Sequence, residues 1–246
     1  MDEYTQINGD VKNVDDLCIE DLPTGEKTRL SVELIHDGMG DSISIPVLVA
    51  RGKRPGPVFG ITAALHGNEL NGIPVIHHLF NEIDANKLRG TVVAVVAVNI
   101  LGVHLHQREF INGTDLNQVM PGREDGNIAE IYCHRVMDRI VRHFQYLVDL
   151  HTASFGRQNS LYVRADMEDP ISARMAYLQR PQIIVHKPPS DGTLRGAAMD
   201  LGIPSITAEI GNPQRFQARY IRSPLAGLRN VLAETGILSR KPGKLG

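Results

Sequence analysis

The sequence predicts an α/β protein built on a mixed, largely parallel central sheet. Three observations carry that expectation: two almost continuously apolar runs, a helical pattern between them, and strand-like segments alternating with helix-like ones to the end of the chain. "GPVFGITAAL" (56–65) and "GTVVAVVAV" (90–98) have no polar face, as expected of strands covered by helices on both sides. "GIPVIHHLFNEID" between them has helical spacing, which makes a strand, helix, strand unit.

The other elements follow in chain order. Residues 1–27 read as a polar arm. "TRLSVELI" and "SISIPVLVA" alternate apolar and polar residues around the turn-rich "HDGMGD" and read as two antiparallel strands. Beyond the apolar unit, Asn99 to Asn127 reads as a long loop rich in Gly, Asn and charge; a loop of this length is usually functional or disordered, and its start just after a central strand favours function. A helix near "NIAEIYCHRVMDRIVRHF" and strands at "YLVDL" and "SLYVRA" come next, then a helix at "PISARMAYL" and a strand at "QIIVHK". A helix at "TLRGAAMDLG", a strand at "PSITAEI" and a last helix in "RYIRSPLAGLRNVLAETG" complete one domain over 28–240, with 241–246 as a tail.

The bulk composition narrows the function. A chain of 246 residues with 42% hydrophobic content can bury a full core. The net charge of -2, with Lys and Arg scattered, offers no footprint for nucleic acid and no polybasic membrane patch. A small-molecule partner is therefore expected, and self-association into a homo-oligomer stays open. Cys18 and Cys133 lie far apart without CxxC spacing, so neither a disulfide framework nor a thiolate zinc cluster is indicated. The polar start "MDEYTQINGDVKN" and the lack of a spanning apolar run predict a cytoplasmic protein. Of the ten histidines, His77 and His78 sit in an amphipathic helical pattern, where a satisfied or exposed histidine is expected and not a metal ligand, and His143 reads as a helix-end residue.

The chemistry starts at "ITAALHGNELNG", where a buried strand gives way to His66 and then Glu69. An imidazole beside a carboxylate is a common zinc pair. The alternative is a helix cap followed by an acidic first turn, favoured by the helix dipole. In α/β sheets ligands gather at the carboxyl ends of strands. His66 follows one strand, His151 follows "YLVDL", and Glu209 ends "PSITAEI", so all three meet that rule. A catalytic zinc keeps about three protein ligands, and His66, Glu69 and His151 supply them. Their spacing matches neither HExxH nor HxxEH.

"ALHGNELNG", "DLHT", "TDLNQVMPG" and "AEIGN", in that order along most of the chain, resemble the succinylglutamate desuccinylase/aspartoacylase family. That family is a branch of the zinc carboxypeptidase-like fold, a three-layer sandwich. The resemblance implies one Zn²⁺ per chain held by His66, Glu69 and His151, with Glu209 as the general base acting on the attacking water. Arg108 matches the arginine that polarises the scissile carbonyl, Asn117 a substrate-orienting asparagine, and Asp115 a group that holds the loop or a ligand histidine. His104 and His106 are left to substrate or solvent, because the metal has ligands enough. Cobalt, nickel or manganese would also suit these donors.

The implied reaction is hydrolysis of the amide bond of a small N-acyl amino acid or related N-acyl amine. The alternatives are a carboxypeptidase-like or ester hydrolase, or a member of the fold that binds metal or ligand without turnover. Two departures from the family pattern bear on substrate. Gln118 stands where many relatives carry a carboxylate-gripping arginine, and an amide cannot make that charge-assisted bidentate pair. Arg123, Arg157, Arg164 and Arg195 are the candidates to replace it. The small β-rich domain that usually follows in relatives is expected to be absent, since the sequence stops at "SRKPGKLG".

Overall fold

Strands β1 (Lys12–Val14), β2 (Glu26–His36) and β3 (Ser42–Arg51) open the sheet in the computed structural model, which describes residues 10–154, 156, 157, 159–190 and 192–243. Residues 1–9 of the expected arm and 244–246 of the tail lie outside the described residues. β2 and β3 pair antiparallel, as their alternation predicts, because one face buries Leu30, Val32 and Leu34 while the other carries Arg29 and Glu33. β4 (Arg54–Ala63), β5 (Arg89–Val95), β6 (Tyr146–His151) and β9 (Ser205–Glu209) form the parallel centre. β7 (Tyr162–Ala165) runs antiparallel to β9 and carries β8 (Ile183–His186) in parallel at the edge. The order across the nine strands is β1-β2-β3-β5-β4-β6-β9-β7-β8.

Helices cover both faces. α1 (Gly72–Glu82), α4 (Pro170–Leu178) and α6 (Arg222–Glu234) bury Phe80, Met175, Leu228 and their neighbours against one face. α3 (Ile128–Arg139) and α5 (Leu194–Asp200) bury Tyr132, Val136 and Leu194 against the other. The fold is thus a three-layer α/β sandwich with a mixed, mostly parallel sheet.

Two segments hold more order than their composition suggests. Within the stretch read as a polar arm, β1 joins the sheet edge and Leu17, Ile19 and Leu22 are buried in the α3 core. Isolated apolar residues set no period, so only the packed state reveals them. The stretch read as a long loop contains α2 (Ile100–Leu105), whose Gly102 amide donates to the Asn99 side chain at 2.9 Å, and a helical turn at Leu116–Gln118.

Side chains alternate across each strand, and the polar ones fall on one side. Val148 and Leu150 of β6, Ile206 and Ala208 of β9, and Val163 and Ala165 of β7 enter the core beneath α1, α4 and α6. Asp149, His151, Thr207, Glu209, Tyr162 and Arg164 therefore share the opposite face, at the carboxyl ends of β6 and β9. That face carries the site.

Candidate active site

His66 and Glu69 lie on the turn between β4 and α1. The turn leaves the sheet through Ala64, whose φ is 50°, and the Asn99 amide anchors it by donating to the Ala64 carbonyl at 2.9 Å. Gly67 lets it pack flush against α2, since a Cβ there would stand 2.0 Å from the Gly102 carbonyl carbon. α1 begins at Gly72, so Glu69 precedes the helix and the first-turn reading does not apply. Instead Glu69 turns back to the sheet and is 2% exposed.

The predicted ligands converge. One donor atom from each of His66, Glu69 and His151 lies within 4.8 Å of the others. His66 Nδ1 is 2.9 Å from Glu69 Oε1, and His151 Nδ1 is 3.0 Å from Glu69 Oε2. Each imidazole is held from behind through its other nitrogen. His66 Nε2 lies 3.1 Å from Asp115 Oδ1, and His151 Nε2 lies 2.6 Å from Asp149 Oδ2. Asp149 in turn accepts from Thr62 Oγ1 at 2.7 Å. A carboxylate behind each histidine sets its tautomer and orientation, which is how metal-ligating imidazoles are generally supported.

These residues fit a divalent ion. Among the described residues, the buried His66 Nδ1 has no hydrogen-bond partner with acceptable geometry, though Glu69 Oε1 is close. Two imidazole nitrogens and one carboxylate are a borderline-soft donor set suited to zinc. Electrostatics point the same way. Burial alone would raise the Glu69 carboxyl, but hydrogen bonds and charge from His151 and His66 outweigh it and hold it far below the usual range. Burial likewise works to lower both histidines, yet Asp149 and Glu69 lift His151 well above its ordinary value, and Asp115 and Glu69 lift His66.

A pH prediction follows for the metal-free protein. Raised imidazoles hold a proton more firmly than free ones, and an incoming cation must displace any proton they carry. Affinity should therefore rise with pH and fall in acid. Calorimetry of zinc binding at neutral pH, in buffers of different ionisation enthalpy, is expected to report release of about one to two protons per ion. Zero release contradicts the charged-imidazole picture.

Arg108 stands beside the ligands. Its Nη1 donates to Glu69 Oε1 at 2.9 Å and its Nη2 to Asp115 Oδ2 at 3.0 Å, and its carbonyl accepts from the Gly67 amide. Glu209 pairs in register with His151 across the parallel strands β6 and β9. Burial raises the Glu209 carboxyl above the usual carboxylate range, Glu69 adds to the rise, and His151 and Arg164 oppose it. Asn117 lines the cleft, with its Oδ1 accepting from the Leu194 amide at 2.9 Å. Gln118 is exposed, reaches Asp115 Oδ2 at 3.5 Å, and is not among the residues lining the cleft. His104 and His106 are exposed and also stand outside that lining.

The cleft encloses about 270 Å³ and runs from His66, Glu69 and His151 past Glu209 to a basic wall. Arg157, Arg164, Lys187 and Arg195 lie along it, while Arg123 pairs instead with Glu130. Three groups escaped sequence reasoning. Asp149 was hidden inside an apolar run, although its place two residues before His151 on one strand face was a usable signal. Tyr162 and Asn159 gave no signal, since their contacts with Arg164 and Glu209 exist only in the assembled fold.

Comparison with solved structures gives the fold the same class. The succinylglutamate desuccinylase/aspartoacylase of Rhodobacter sphaeroides superposes with a TM-score of 0.80 at 20% identity, over 93% of this chain and 71% of that one. The product-bound Ectoine utilization protein EutE (DoeB) of Ruegeria pomeroyi gives a TM-score of 0.81 at 23% identity, over 91% of this chain and 72% of that one. Among curated proteins, the N-alpha-acetyl-L-2,4-diaminobutyric acid deacetylase of Halomonas elongata is 28% identical over 112 residues, which is 45% of this chain and 32% of that protein. The aligned stretch thus spans about a third of that relative's length. Residues 55–235 match the succinylglutamate desuccinylase/aspartoacylase catalytic domain, and the chain belongs to that family.

Proposed function

We propose that the chain is a zinc-dependent deacylase that hydrolyses the amide bond of a small, carboxylate-bearing N-acyl amino acid. The observation that carries this reading is the convergence of His66, Glu69 and His151 on one ion-sized point, flanked by Arg108 and Glu209 in a single cleft. A bound zinc ion would supply Lewis acidity and a lowered pKa for water. The chain's own residues supply the rest. Arg108, immobilised by Glu69 and Asp115, stabilises negative charge developing on the carbonyl oxygen. Glu209 accepts the proton of the attacking water and passes it to the leaving nitrogen, as a new C–O bond replaces the C–N bond. Its raised pKa suits it to both steps. The free thiols of Cys18 and Cys133 agree with a reducing compartment such as the cytoplasm. Among the described residues no helix is long and apolar enough to cross a membrane.

The basic wall supports a carboxylate on the substrate. Arg195 is 4% exposed, yet its guanidinium meets only the Pro188 carbonyl at 3.1 Å and Met199 Sδ at 3.6 Å, with no ion pair among the described residues. Ser190 Oγ, which lines the same cleft, is buried without a hydrogen-bond partner among the described residues. A buried cation with spare donors is costly unless an anion arrives.

The test is a panel of N-acetyl amino acids and N-acetyl amines lacking the carboxylate, assayed with zinc content measured. The parent is expected to carry about one zinc ion and to prefer the acids. Arg195→Gln should raise KM for the acids about tenfold or more and leave the neutral amines unchanged. No stoichiometric metal together with no hydrolysis at any pH would end the proposal.

A further inference from the structure

We propose that Arg164 is a positioning residue for Glu209, with Tyr162 bracing the guanidinium. The inference rests on the reading of Glu209 as the general base. β7 enters the sheet antiparallel to β9 and sets Tyr162 opposite Glu209 and Arg164 opposite Thr207. Residues two apart on a strand share a face, so both β7 side chains stand over the end of β9. Arg164 Nε donates to Glu209 Oε1 at 3.3 Å, and Asn159 Nδ2 donates to Oε2 at 3.2 Å. Arg164 thus serves one carboxylate oxygen and Asn159 the other, and the Tyr162 hydroxyl also meets the Glu209 side chain. Arg164 Nη2 donates to the Tyr162 hydroxyl at 2.7 Å, and its Cζ lies 5.2 Å from the centre of that ring.

The physical need is plain. Glu209 is 8% exposed and shares its surroundings with the buried carboxylate of Glu69. Burial and a like charge both disfavour an ionised carboxylate. Arg164 is its one ion-pair partner among the described residues, and an arginine stays charged throughout a proton-transfer cycle. It holds the carboxylate oxygens at one orientation before the proton arrives, and it does not compete for that proton. The Tyr162 contact uses one of the guanidinium's remaining donors, so the fork cannot swing away from Glu209.

The experiment is a kinetic double-mutant cycle on the zinc-loaded protein, using the N-acetyl amino acid that the parent hydrolyses fastest. Arg164→Gln is expected to lower kcat about 10- to 100-fold with KM within about twofold. Arg164→Lys should recover part of the loss, and Tyr162→Phe should show a smaller loss of the same kind. In a Glu209→Gln background, Arg164→Gln should cost almost nothing further, since coupled residues are not additive. A rise in KM with kcat intact would show that Arg164 grips substrate instead, and an equal loss in both backgrounds would show that it acts apart from Glu209. Either result overturns the inference. Full activity in Glu209→Gln removes the base assignment and the inference together, a result distinct from the other two. Zinc content and thermal midpoint are measured for each variant. If Arg164→Gln fails to fold, Arg164→Lys and Tyr162→Phe decide, and parental kcat in both overturns the proposal.

Discussion

Replacing Glu209 with glutamine is expected to lower kcat about 10²- to 10⁴-fold, the range that a positioned general base contributes, while zinc content and KM stay near those of the parent. Glutamine keeps the shape of the carboxylate but cannot take a proton. Because Glu209 lies outside the His66, Glu69 and His151 group, the metal has no reason to leave. The measurements are steady-state kinetics and metal analysis on the purified variant. A variant that loses its zinc would place Glu209 among the ligands, and one that turns over at the parental rate would move the proton-transfer role to another group.

Glu69→Ala is expected to have the widest consequences of any substitution in the site. Glu69 accepts from Arg108 and from the Thr152 amide, and its two oxygens lie 2.9 and 3.0 Å from the ring nitrogens of His66 and His151. Removing it takes away one donor and leaves Arg108 without one of its two anchors. Zinc affinity should fall by more than about 100-fold, the upper range for loss of a merely supporting partner, and activity should fall with it. Competition against a chelator of known affinity measures the change. Retention of tight zinc would require the two imidazoles and another group to hold the ion without Glu69.

Much of the architecture was legible because its signals are local. The apolar runs around residues 56–65 and 90–98 carry their own evidence of two-sided burial, and β4 and β5 occupy the sheet centre as expected. The helices α1, α4 and α6 were visible in their periodicity, since each turns one apolar stripe toward the core. His66, Glu69 and His151 could be singled out because lone-pair donors directly after buried strands are unusual. Asp149 gave a weaker signal, its place two residues before His151 inside an apolar run, and nothing announced the inward packing of Leu17, Ile19 and Leu22.

What the chain determined by itself was the kind of element at each place and the residue types able to bind a cation and move a proton. Local spacing suffices for that, because helix and strand repeats are short-range properties. Tertiary structure alone decided which strands became neighbours. It set β7 antiparallel beside β9, brought Arg164 and Asn159 to the two oxygens of Glu209, and placed Asp115 and Asp149 behind the two imidazoles. It also turned Gln118 out of the cleft and Arg195 into its wall. Apart from Asp149 and His151, two places apart on one strand, these contacts join residues tens of positions apart, and their energies depend on burial and register that exist only once the sheet has assembled.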